Sequence, residues 1–142
     1  MKKVIVLVVI VAIGFFGYDF FSRLPEADEM GNFTIILVDE NGDIVHNEVH
    51  EFYQETGLFD VLDQQYRVGC ANLSYQIDET CETVFPNGHV LLKIDDIETD
   101  WYGSYIQIYV NDLPSEYGID QIMVNNGDVY KFVYVDLGGG SE

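Results

Sequence analysis

The sequence predicts an α+β fold: a β-grasp-like mixed sheet with one short helix on one face, preceded by a single N-terminal transmembrane helix. Three observations predict it. An uncharged apolar run opens the chain, one helical pattern interrupts a series of β-branched and aromatic segments, and Gly, Asn, Asp and Pro separate those segments.

Met1, Lys2 and Lys3 form a positive start, and residues 4 to 18 carry neither a charge nor an amide. Helical residues rise ~1.5 Å each, so this run spans about 22 Å of a ~30 Å hydrocarbon core. Phe20 and Phe21 extend it past Asp19. A cleaved leader needs small residues three and one before the cut; only Ala12 with Gly14 fits, which leaves an unusually short leader. Residues 1–22 are therefore read as an uncleaved signal anchor that contacts the membrane through residues 4–21, with a cleaved peptide as the alternative. Basic flanks stay on the cytoplasmic side, so the following domain is expected on the extracytoplasmic side of a single-pass cell-membrane protein.

Residues 23–32 combine Pro25 with three acids and no apolar periodicity, the pattern of an acidic linker. The domain is read as residues 33–135. Phe33 to Val38 is β-branched and apolar, Asn41-Gly42 signals a turn that sets the register, and alternation resumes at Ile44, which predicts a hairpin over 33–53. Thr56 or Gly57 caps a helix through Gln65, with Leu58, Phe59, Val61 and Leu62 near one face. Strand patterns follow at 66–68, 90–94, 105–110 and 129–135, with residues 71–88 unreadable. Residues 136–142 form a Gly-rich tail with nothing to bury, expected to be flexible.

Residues 23–142 hold 24 of the 25 acids against Arg23, Arg67, Lys93 and Lys131, a formal charge of −20. Nucleic-acid binding depends on neutralising phosphates with Lys and Arg, so nucleic acid is excluded as a partner. Enzymatic motifs are lacking as well. Ser104 and Ser115 lie in turn contexts without a nucleophile motif, and no Gly-rich phosphate loop joins a strand to a helix. No cofactor and no metal site are expected. His46 and His50 lie on a strand about 13 Å apart at ~3.3 Å per residue, too far for one zinc, and read as surface histidines. His89 reads as a turn residue. Asp39 to Asp43 fails the calcium-loop spacing, and Asp95, Asp96, Glu98 and Asp100 read as a solvated acidic loop.

Cys70 and Cys81 are the only cysteines, and export places them where a disulfide persists, so a bridge is expected. The chain also holds ten tyrosines. Along Tyr105 to Val110, alternation sends Ile106, Ile108 and Val110 to the core and Tyr105, Gln107 and Tyr109 to the other face. With Trp101, Tyr102 and Tyr117 in flanking loops, Tyr105 and Tyr109 form the expected ligand- or partner-binding surface.

Thr56 to Leu62, Trp101 and Tyr105 leading into Tyr109-Val-Asn111, Gly118-Ile-Asp120, Asn126-Gly-Asp128 and Phe132 to Tyr134 occur in an order that resembles the transcobalamin-like C-terminal domain, a bacterial surface-protein family of unknown function. The resemblance runs from about Phe33 to Val135. It departs where Asp112 rather than Gly follows Asn111, and where the segment from Trp101 to Asn111 is long. It implies a β-grasp-like fold, an exported, membrane- or wall-attached protein and no catalytic assignment. The functions expected are a non-catalytic contact module for an unknown surface protein or glycan; a half-site for cobalamin or another small ligand, completed by a partner chain; or a structural spacer in a surface complex.

Overall fold

The computed structural model describes residues 28–138. The anchor segment and the last four tail residues lie outside them, so the anchor and cleavage expectations concern undescribed residues. No helix among the described residues is long and apolar enough to cross a membrane.

β1 (Gly31–Val38) and β2 (Ile44–Phe52) pair antiparallel. Alternation sends Phe33, Ile35 and Leu37 inward, where they are buried. The turn between the strands sits where Asn-Gly signals it. Asp39 carboxylate accepts the N–H groups of Asn41 and Asp43, both at 2.9 Å, and Gly42 takes φ +80°, a conformation that glycine adopts without penalty. The pairing slips between Leu37 and Val38, where Val45 of β2 is the extra residue of a bulge.

The helix α1 (Leu58–Gln65) follows Gly57, and its Leu58 N–H donates to Ile122 O at 2.8 Å. Leu58, Val61 and Leu62 are its buried stripe, at the spacing that stacks side chains on one helical face. Tyr66, read as the start of a strand, instead closes the helix; the strand β3 is Val68–Ala71. It pairs with β4 (Ile77–Asp78) and β5 (Leu91–Ile94), and β5 with β6 (Ile97–Glu98). β7 (Ser104–Val110), β8 (Leu113–Pro114), a 3₁₀ turn (Ile119–Gln121) and β9 (Val129–Asp136) complete the described elements.

These strands form two sheets rather than the one expected: β2-β1-β9-β7-β8 and β4-β3-β5-β6. The first is mixed, because β9 runs parallel to β1 and antiparallel to β7. The second exists because β3 is buried on both faces and needs cover that the helix alone does not provide. One core joins Phe33, Ile35, Leu37, Tyr130 and Phe132 of the mixed sheet to Leu58 and Leu62 of α1 and to Val68, Cys70 and Ile94 of the second sheet. The α+β class with one short helix is thus the observed architecture.

The folded unit begins before Phe33. β1 starts at Gly31, and Asp28, inside the stretch read as linker, exchanges hydrogen bonds with the Asn125-Asn126 turn: Asp28 N–H to Asn125 Oδ1 at 3.0 Å and Asn126 N–H to Asp28 Oδ2 at 2.8 Å. Polar anchorage of this kind leaves no periodicity to read. Likewise β9 continues through Asp136, one residue into the stretch read as tail.

Candidate functional site

The bridge Cys70–Cys81 is formed, with Cα atoms 4.9 Å apart. It closes the first part, 71–80, of the stretch 71–88 that sequence patterns left unreadable. Inside it Asn72 builds a tight turn: its side-chain oxygen accepts the N–H groups of Ser74 and Gln76 at 2.9 and 3.0 Å, and its carbonyl accepts that of Tyr75 at 2.9 Å. Tyr75 is held at φ +57°, a region bulky residues seldom occupy. Its ring stacks on Trp101, with centroids 5.0 Å apart and planes 17° apart, and on Phe85 at 5.6 Å and 13°.

Trp101 is itself at φ +65° and 40% exposed, and its neighbour Tyr102 is 77% exposed. A carboxylate-centred turn sets them up. Asp100 Oδ1 accepts Gly103 N–H at 2.7 Å and the Ser104 hydroxyl at 3.2 Å, while Ser104 Oγ accepts Asp100 N–H at 3.0 Å. The Gly103 N–H donation holds the Asp100 carboxyl below its ordinary range. Ser104 is thereby buried and engaged in the turn. A recess of about 480 Å³ opens here, lined by Tyr75, Gln76, Ile77, Thr99, Asp100 and Tyr102.

The five aromatic residues expected to share one surface occupy three places. Trp101 and Tyr102 face the disulfide loop of the second sheet. Tyr105 and Tyr109 are half-buried on the outer face of the mixed sheet, opposite Val135 and Lys131; Lys131 Nζ lies 5.2 Å from the Tyr109 ring centre and 3.3 Å from Asp112. Tyr117, 64% exposed, lines a groove of about 560 Å³ with Leu113, Ile122, Met123 and Val110. Alternation assigns faces only within a strand. The left-handed backbone at Trp101, and at Asn111 and Asp112 beyond the strand, redirects the flanking loops. Ile106, Ile108 and Val110 do pack against the core, although each is only partly buried.

Of the three histidines, His50 and His89 are largely buried, while His46 keeps more than a third of its side chain exposed. His46, Glu48 and His50 all point to the inner side of β2, opposite Leu37, Ile35 and Phe33. His50 stacks on Phe33 at 5.5 Å and meets the Tyr66 hydroxyl at 2.9 Å through Nε2; that hydroxyl also donates to Glu48 at 3.3 Å. Burial pushes the Tyr66 phenol up, and the Glu48 carboxylate adds to the effect. His46 Nε2 lies 3.4 Å from Asp95. His89, read as a turn residue, is wedged against Phe59 at 4.1 Å, with Nδ1 2.9 Å from Asp120 Oδ1 and Nε2 3.0 Å from Cys81 O. The period-2 placement of His46, Glu48 and His50 was the readable signal for the first group; the long-range partners of His89 left none. Of the acidic loop, Asp95, Asp96 and Glu98 border a recess of about 370 Å³ with His46, Asp39 and Glu40, while Asp100 belongs to the aromatic turn. Among the described residues no group of three His, Cys, Asp or Glu side chains is arranged to hold a metal ion.

No family model matches the chain, and no curated protein matches it. Among solved structures it is similar to a putative metal binding protein from Ruminococcus gnavus ATCC 29149, with 16% identity over 75% of this chain and 97% of that one and a TM-score of 0.55. At that identity the likeness is one of fold.

Proposed function

We propose that the chain is a non-catalytic binding domain, displayed on the extracytoplasmic side of a membrane by its N-terminal segment, on a β-grasp-like scaffold. The scaffold reading is supported by the strand order β2-β1-β9-β7-β8 around a parallel central pair, with α1 following the hairpin. The binding reading rests on one observation: Tyr102 stands in solvent beside a recess, next to a partly exposed Trp101 on left-handed backbone. Co-purification from gently solubilised membranes tests it. A partner retained by the parent chain and lost with Tyr102→Ala supports the reading; equal recovery removes this end from the binding surface. Intact mass of the membrane-derived chain tests the anchor, and a mature start between residues 13 and 30 overturns it.

The groove beside Tyr117 favours a second reading, a half-site for a cobalamin-like ligand. Leu113, Met123 and Ile122 supply apolar contact, and Tyr130, Asn125 and Asp128 add polar groups, but the wide opening requires a partner chain to complete the enclosure. The resemblance to the transcobalamin-like domain points the same way. An absorbance shift on titrating cobalamin supports it, and an unchanged spectrum with the partner present rejects it. Metal binding, suggested by the description of the Ruminococcus gnavus protein, is tested by calcium and zinc titration calorimetry.

A further inference from the structure

We infer that the recess between Tyr75 and Tyr102, flanked by Trp101, is a carbohydrate cleft that takes uncharged pyranose chains; this rests on the binding-domain reading above. Four features of the cleft converge on that ligand class. The exposed ring of Tyr102, which lines the recess, and the open part of Trp101, whose ring is stacked on Tyr75 beside it, supply flat apolar surface, which matches the C–H face of a pyranose. Tyr75, sandwiched between Trp101 and Phe85, contributes its edge and hydroxyl. Around the rings stand polar side chains with no hydrogen bond among the described residues: the Ser74 hydroxyl, the Gln76 amide and the Tyr75 and Tyr102 phenols. Asp100 keeps Oδ2 as a further acceptor, since Oδ1 alone takes the Gly103 and Ser104 donors. A sugar has the apolar face and the ring of hydroxyls that such a set engages, whereas a purely apolar ligand leaves these groups unpaired at a cost.

Charge narrows the class. The whole chain carries a formal charge of −19, and Asp100 sits in the cleft itself, so uronates, sialylated chains and phosphorylated glycans are repelled. The backbone supports a binding role over a packing role. Left-handed φ strains two bulky residues, Tyr75 and Trp101, and the Trp101–Tyr75 stack explains why the rings meet but not why Tyr102 projects into solvent.

Trp101 is the only tryptophan, so the full-length chain in mild detergent reports on its own site. Cellohexaose and hexa-N-acetylchitohexaose are titrated against Trp101 emission, with calorimetry in parallel and an oligogalacturonide as the acidic comparison. At least one neutral hexasaccharide is expected to give a saturable change, with the acidic chain at least tenfold weaker. Tyr102→Ala, at an exposed position, is expected to weaken binding at least tenfold without moving the melting temperature. Trp101→Gly relieves the left-handed backbone while removing the ring, so it is expected to abolish calorimetric binding with melting close to the parent. Absence of a saturable response up to millimolar sugar, or undiminished affinity in Tyr102→Ala, overturns the cleft. A co-purifying protein that Tyr102→Ala releases, with both sugars inert, sinks the carbohydrate assignment alone; no partner and no sugar sinks the binding reading as well.

Discussion

Removing the disulfide through Cys70→Ala with Cys81→Ala tests whether the middle of the chain is held by its bridge or by its packing. The two cysteines are separated by 11 positions, and closing a loop of that length removes about 3 kcal/mol of unfolded-state entropy at 25 °C. Both positions are buried, so lost sulfur contacts add to the cost rather than offset it. For a fold a little over 100 residues long, about 3 kcal/mol lowers the melting temperature by roughly 10–20 °C. The loop has no long strand to retain it: its only ladder contact is β4, paired with β3 at Cys70–Asp78 and Ala71–Ile77. Tyr75 should therefore lose its fixed place under Trp101 before the core melts. Calorimetry and Trp101 emission, followed together on the double variant, read the two effects separately. Melting within about 3 °C of the parent, with emission unchanged up to the global transition, refutes the reasoning and assigns the loop's order to packing.

Three further outcomes follow from the same geometry. Gly88 has φ +108°, and a Cβ there runs into the Asp120 carboxylate that receives His89, so Gly88→Ala is expected to cost roughly 1–3 kcal/mol in urea unfolding; a neutral result removes the His89–Asp120 contact from the fold's supports. Phe132→Ala, at a fully buried position, is expected to destabilise by about 3–5 kcal/mol, whereas Tyr105→Ala with Tyr109→Ala, which removes two half-buried rings and the Lys131 contact over Tyr109, is expected to cost less, about 1–3 kcal/mol; equal losses show the outer face to be core. Burial raises the phenols of Tyr66 and Tyr130 in the folded chain, so the folded state holds these protons more tightly: stability is intact below the ordinary tyrosine value of about 10 and falls as pH rises beyond it. Urea midpoints from pH 8 to 11 measure that decline, and Tyr130→Phe should flatten it; a parent midpoint constant through pH 11 contradicts the sign.

What the sequence made legible was local. Phe33 to Val38 is a β-branched, apolar run ended by the Asn41-Gly42 turn signal, and Leu58, Val61 and Leu62 recur at helical spacing, so β1 and α1 could be placed from local pattern alone. The four residues of β3 are buried on both faces and therefore carry no alternation, which is why nothing in Val68 to Ala71 announced a second sheet. The candidate site was legible to a still smaller degree, for a related reason. Trp101 and Tyr102 could be singled out as large rings in a loop, but Tyr75 and Phe85 lie 26 and 16 positions before Trp101 in the chain, and no local pattern links them to it. Their meeting depends on two left-handed residues, on the Asn72 turn and on a disulfide that brings the ends of the loop together. Left-handed backbone at Tyr75 and Trp101 costs strain, whereas the disulfide also adds Cys70 and Cys81 to the main core. On the proposed binding reading, the strain at Tyr75 and Trp101 is retained for what the partly exposed rings of Trp101 and Tyr102 contact.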